Sequence, residues 1–151
     1  MLSKQINNDR GLTLIELLAV IVILGIISAI ATIAILNVIQ KAKDQAIVAN
    51  SYALRDSATF YVKDKILSEE VVPTQLSYQT LVNEDYIEKI RDPDTNSYLD
   101  PAVNTSYVVV SGERITAVCF KGLKRNLCTK NGIETPIPIA ELSTKLIQSN
   151  N

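Results

Sequence analysis

The 151-residue sequence contains no histidine, and that one absence removes two large classes of catalytic site. Neither a Ser-His-Asp triad nor a histidine-based metal site can be built without it. There is also no Walker A loop, no dinucleotide-binding fingerprint and no Cys-x-x-Cys pair. A basic excess is missing too: 15 lysines and arginines stand against 16 acids, whereas a dedicated nucleic-acid binder carries surplus positive charge. The two cysteines permit one bridge but not a disulfide scaffold. With no nucleophile–base or metal constellation, the sequence reads as that of a non-enzyme.

What is present is unevenly distributed. The chain is 47% hydrophobic overall, but 20 of the 25 residues in 12–36 are hydrophobic, which leaves roughly 40% for the other 126. Residues 17–36, LLAVIVILGIISAIATIAIL, are interrupted only by Gly25, Ser28 and Thr32. A helix of that length spans about 30 Å, the thickness of a bilayer's hydrocarbon core. A cleavable secretory signal would need a shorter apolar region and a small-residue cleavage site after it, and neither is found. A permanent single-pass anchor is the other simple reading, but Lys4 and Arg10 before the span are matched by Lys41 and Lys43 after it.

Glu16 fits neither reading. It lies within LTLIELL, flanked by apolar residues. An acidic group at the centre of a membrane helix costs about 2.5–3.5 kcal/mol, less near the end, where the positive end of the helix dipole helps. No lysine or arginine occurs between Arg10 and Lys41. The expected partner is therefore Arg10, a terminal amine created by cleavage, or a group on another chain.

Arg10-Gly11-Leu12-Thr13-Leu14-Ile15-Glu16 followed by an apolar helix resembles the amino terminus of a type IV pilin or pseudopilin precursor. The polar leader holds Lys4 and Arg10, Gly11 precedes the cut, and the glutamate is the fifth residue after it. Gly25 and 29–31 (Ala-Ile-Ala) also resemble the family's helix, and the likeness covers about forty residues of the chain. Residues beyond it belong to the part that varies widely in this family. Two departures stand out: Leu12 where many members have phenylalanine, and Ile33 where many have proline. Without that proline, Gly25 is the helix's intrinsic weak point.

The resemblance implies that a membrane prepilin peptidase cuts between Gly11 and Leu12 and methylates the new Leu12 amine. It further implies that Glu16 pairs with the Leu12 amine of a neighbouring copy as both helices leave membrane lipid for a filament core. Such a pair sets register more than stability, because only a correctly staggered neighbour supplies the partner.

Residues 37–67 continue in helical character without proline or glycine. Ala42, Ala46, Ala49, Ala53 and Phe60 fall near one face, which is expected to pack on the domain's own sheet. The segment 74–90 reads as a turn and a short amphipathic helix or irregular stretch, with Leu76, Leu81, Val82, Tyr86 and Ile87 as core candidates. Its Leu-Val-x-x-x-Tyr-Ile followed by Asp-Pro resembles segments of pilin-like proteins. Residues 106–111 and 114–120 flank Gly112-Glu113, a hairpin signal. A third strand is expected over 126–130, then a short terminal helix through Ile139, Leu142, Leu146 and Ile147, and a frayed tail over 148–151.

Cys119 and Cys128 fall at the end of one predicted strand and the start of the next. A domain outside the membrane would favour a bridge between them, with two unpaired thiols as the alternative. Many pilins are similar in carrying a disulfide near the C-terminus. Asp92, Asp94, Asn96 and Asp100 alternate as in the opening of a calcium loop, and major pseudopilins resemble this in having one. Ser97 nevertheless replaces the required glycine and Val103 the bidentate glutamate, so turn-building is the preferred reading. No other cofactor is expected. Between residues 69 and 100 eight acids face only Lys89 and Arg91, whereas 114–130 carries five bases and no acid. The tip 121–125 (Lys-Gly-Leu-Lys-Arg) could touch DNA or a surface. It lacks an aromatic for stacking, and contact with an acidic face of its own subunit or of a neighbour is the preferred use.

The expected fold is α+β, a long N-terminal helix with a small antiparallel sheet packed on its second half. The expected organisation is a cleaved cytoplasmic leader (1–11), a membrane and filament-core helix (12–36), its amphipathic continuation (37–67) and a globular head (68–151). The leading functional reading is the major pilin of an extracellular type IV pilus-like filament, made in the cytoplasmic membrane and displayed on the cell surface. Its partners would be copies of itself, the peptidase and the membrane-embedded assembly machinery. A pseudopilin of a type II secretion or DNA-uptake machine and a membrane-anchored binding module are the alternatives.

Overall fold

In the computed structural model, which describes residues 13–150, helix α1 runs unbroken over Leu14–Leu67. It passes through both Gly25 and Ile33 without interruption. Two compact units divide the chain at Ile39/Gln40. In the first, every side chain from Leu14 to Ile39 is exposed, and the stretch is long and apolar enough to cross a membrane. Ser28 and Thr32 each donate a hydroxyl hydrogen to the carbonyl four residues earlier, at 2.7 and 2.8 Å, so their polarity is satisfied within the helix.

The second unit, the head, uses the remainder of α1 as its spine. Ile47, Ser51, Leu54, Ala58, Tyr61 and Val62 are buried there, at the spacing of one helical face. This corrects the alanine stripe read from the sequence: Ala42, Ala49, Ala53 and Phe60 are exposed, with Phe60 at 66%. The face that carries Ile47, Leu54, Tyr61 and Val62 turns inward because it buries more apolar area than the alanine-rich one would.

Five further strands run from the helix end to the close of the hairpin region and beyond: β1 (Gln75–Ser77), β2 (Tyr107–Ser111), β3 (Arg114–Lys121), β4 (Arg125–Leu127) and β5 (Thr129–Lys130). They are followed by β6 (Ile133–Glu134), β7 (Ile137–Pro138) and β8 (Gln148–Ser149). The antiparallel main sheet has the order β1-β2-β3-β4-β8, with β7 also pairing with β3; β5 and β6 form a separate pair. The β2–β3 hairpin matches its sequence signal, turning at Gly112 with φ +61°. A bulge sits where Val109 faces Ala117 and Val110 faces Ile115. Val108, Val110, Val118 and Phe120 meet the α1 face in a single core, together with Leu76 and the short helix α2 (Tyr78–Asn83).

The C-terminal region departs from expectation. Instead of a helix it makes two single 3-10 turns, Ile139–Glu141 and Thr144–Leu146. The tail is not frayed through Asn150, because β8 adds to the sheet beside β4. The expected strand over 126–130 is divided at Cys128, with β4 in the main sheet and β5 paired to β6.

Candidate functional site

Thr13 immediately precedes α1 and forms a reciprocal cap with Glu16. The Glu16 carboxylate accepts from the Thr13 backbone N–H at 2.8 Å and from its hydroxyl at 2.9 Å. In return, the Glu16 N–H donates to the Thr13 hydroxyl oxygen at 3.3 Å. This is a capping box: N–H groups in the first turn lack helical acceptors, and a Thr-x-x-Glu pair satisfies two of them. Glu16 thus has a local partner, Thr13, in addition to the cationic candidates considered from sequence. The Thr-x-x-Glu spacing was the signal that could have revealed it. Gly11, Leu12 and Arg10 lie outside the described residues.

In the head, Cys119 and Cys128 are joined in a disulfide. The register explains the pairing: Phe120 faces Leu127 and Lys121 faces Asn126, which sets Cys119 directly opposite Cys128 with their Cα atoms 4.4 Å apart. That separation is typical of a non-hydrogen-bonded antiparallel pair.

The four residues weighed as a calcium loop go to four separate tasks. Asp92 is buried, and its carboxylate accepts from the Thr95 N–H at 2.9 Å, the Thr95 hydroxyl at 2.8 Å and the Leu123 N–H at 3.2 Å. Asp94 grips Arg125 bidentately, with Nε at 2.7 Å and Nη2 at 2.8 Å. Asn96 adopts φ +60° and accepts from Arg91 at 3.1 Å, while Asp100 caps the Ala102 N–H at 3.0 Å. Among the described residues, no group of three or more Cys, Asp or Glu side chains is placed to hold a metal ion.

Arg125 resolves part of the charge segregation within the subunit. Besides Asp94 it reaches Asp44 on α1 at 2.5 Å, tying the 121–125 tip to the helix spine. The guanidinium holds the Asp94 carboxyl below the usual carboxylate range, chiefly through this hydrogen bonding. Asp94 and then Asp44 raise the proton affinity of Arg125 in turn. Other surface pairs, among them Lys65–Glu70, Lys121–Glu134 and Lys130–Glu141, are more exposed and contribute little each.

A small α+β head follows a helix whose first half is apolar, exposed and acid-capped, an arrangement that fits a membrane-anchored precursor. Residues 6–32 match the prokaryotic N-terminal methylation motif, the signature of type IV prepilins, and in that segment the chain is similar to type IV pilin and pseudopilin precursors. No curated protein and no solved structure matches the chain.

Proposed function

We propose that this protein is the major structural subunit of an extracellular type IV pilus-like filament. The supporting observation is Glu16: a carboxylate in the first turn of an apolar helix whose side chains are all exposed from Leu14 to Ile39. Such a helix requires a solvent other than water. Lipid serves before assembly, and a bundle of identical helices serves afterwards. On this reading a prepilin peptidase cuts between Gly11 and Leu12 and methylates the Leu12 amine, and Glu16 pairs with that amine on a neighbouring copy. Subunits would join head-to-tail, since a heterologous contact that does not close propagates as a helix. The chain would contribute no catalysis of its own.

Mass analysis of the mature protein tests the processing step. The expected result is loss of residues 1–11 and a methyl group on Leu12; an intact N-terminus rules out filament assembly by this route. Electron microscopy of sheared surface material tests the filament. Long fibres built of this protein support a pilus, and their absence despite correct processing favours the pseudopilin role.

A further inference from the structure

The turn at 121–125 is immobilised from three directions. Gly122 N–H donates to the Arg125 carbonyl at 2.9 Å, Asp92 accepts the Leu123 N–H, and Arg125 is held by Asp94 and Asp44. Asn150 adds two contacts from β8's end, donating its N–H to the Lys124 carbonyl and its side-chain amide to the Gly122 carbonyl, both at 2.9 Å. A turn so firmly held nevertheless presents a 51% exposed Leu123 and an exposed Lys124. The two border an open groove of about 730 Å³ whose other walls include Gln40 and Lys43 of α1 and Ser149 of β8.

The charge of this region is unbalanced. Lys43, Lys124 and Arg125 line the groove together with Asp94, and Asp44 pairs with Arg125, a net of +1 from three bases and two acids. Arg125 occupies both acids, so Lys41, Lys43 and Lys124 have no ion-pair partner among the described residues. Lys43 and Lys124 therefore border one groove, together with Asp94. Gln40 directly follows Ile39, the last residue of the apolar stretch, in the same helix. Lys41 and Lys43 are the second and fourth residues after Ile39 in the sequence, and basic residues that flank a membrane span meet lipid headgroups.

We propose that this groove receives the anionic headgroup of a phospholipid in the bilayer that α1 crosses, with Leu123 entering the interface beside it. The lysines supply charge and hydrogen bonds to the phosphate, and the leucine supplies a short apolar contact that a free anion in water could not use. Because the turn is already rigid, little ordering cost opposes the contact. The inference rests on the reading of the chain as a membrane-anchored precursor.

The sequence contains no tryptophan, so Leu123→Trp in the full chain creates a single reporter in the turn. The protein is reconstituted in vesicles of phosphatidylcholine alone and in an equimolar mixture with phosphatidylglycerol. The expected result is emission at shorter wavelength, and stronger quenching by brominated lipid, in the anionic vesicles. Molar salt should reverse the shift, and so should adding Lys43→Glu and Lys124→Glu. Identical emission in the two lipids, or a shift that survives the charge reversals, overturns the proposal. A shift that instead grows with protein density in neutral vesicles assigns the turn to a second copy and also overturns it. Flotation separates the two levels of inference: a chain that does not float with vesicles overturns the membrane reading as well, whereas a floating chain with an unresponsive reporter overturns the lipid site alone.

Discussion

Asp92 Oδ1 occupies the space a side chain at Gly122 would need: a Cβ built there would lie 2.6 Å from that oxygen and 2.8 Å from the Arg125 carbonyl oxygen. Neither atom can withdraw cheaply, since one belongs to a buried carboxylate with three donors and the other to backbone in a turn. Gly122→Ala should therefore destabilise the head by about 2–3 kcal/mol. Gly112→Ala has open space around it and a φ of +61°, and should cost only about 1 kcal/mol. Urea unfolding of the two variants tests the difference, and equal losses would contradict the packing argument.

Removing Arg125 leaves Asp94, whose side chain is only 9% exposed, without its cation. Arg125→Ala should cost about 2–4 kcal/mol, and Arg125→Lys should recover only part, because an ammonium cannot make the bidentate contact. The pH dependence follows from the depressed Asp94 pKa. Stability from this group is present above the unfolded carboxylate value of about 4 and is lost as pH falls through the lower folded value. Thermal melts from neutral to strongly acidic pH should show this decline in the native protein and a shallower one in Arg125→Ala.

Tyr86 gives a signal at the opposite end of the scale. Its hydroxyl donates to Asp64 at 2.6 Å, and that carboxylate pushes the phenol up to about 12. A raised phenol pKa stabilises the fold fully below the unfolded value of about 10, and the contribution disappears as pH rises through the folded value. An absorbance titration should show late-ionising tyrosine, to which Tyr86 and the buried Tyr78 both contribute. Asp64→Asn should abolish the delay of Tyr86 and leave that of Tyr78.

The cross-strand disulfide closes a short loop with nine residues' separation. Chain-entropy reasoning gives about 2–3 kcal/mol for a loop of that size. The Cys119→Ser, Cys128→Ser pair should lower the melting temperature accordingly, and reductant should have the same effect on the native head. A thiol assay on unfolded, non-reduced protein should find no free cysteine.

Thr13 and Glu16 can be separated by mutation. Glu16→Ala should leave cleavage normal and abolish filaments, which electron microscopy and immunoblotting would check; wild-type filament levels would refute the pairing role. Thr13→Val removes the hydroxyl partner but retains the carboxylate. It should preserve assembly while weakening the helix start by about 1 kcal/mol, seen as faster amide exchange in the first turn of α1.

The features legible in the sequence were those carried by local pattern. The apolar run, the Gly112-Glu113 turn between two β-rich segments, and the acid at fixed offset from Gly11 each declare themselves within a few residues. The alanine face of α1 was misread because helical periodicity gives several candidate stripes, and only the sheet decides which one is covered. Asn131-Gly132 was a missed local signal: both take positive φ, at 54° and 76°, and turn β5 into β6. The pairing of β8 with β4 had no comparable signal, since two residues of a polar tail acquire strand geometry only from the edge they join. The grip of Arg125 on Asp44, 81 residues away, was invisible for the same reason, although the charge segregation pointed to some such contact.

The cap at the start of α1 also bears on how polymerisation would be driven. A carboxylate already bonded to Thr13 has alternatives, so handing it to a neighbour's amine is an exchange of ligands and not the rescue of an orphan. The free energy of that exchange is a small difference between two satisfied states. On the proposed reading, a subunit returned to the bilayer would recover its local bonds at once, and the pairing would fix register while helix packing supplied the drive for growth.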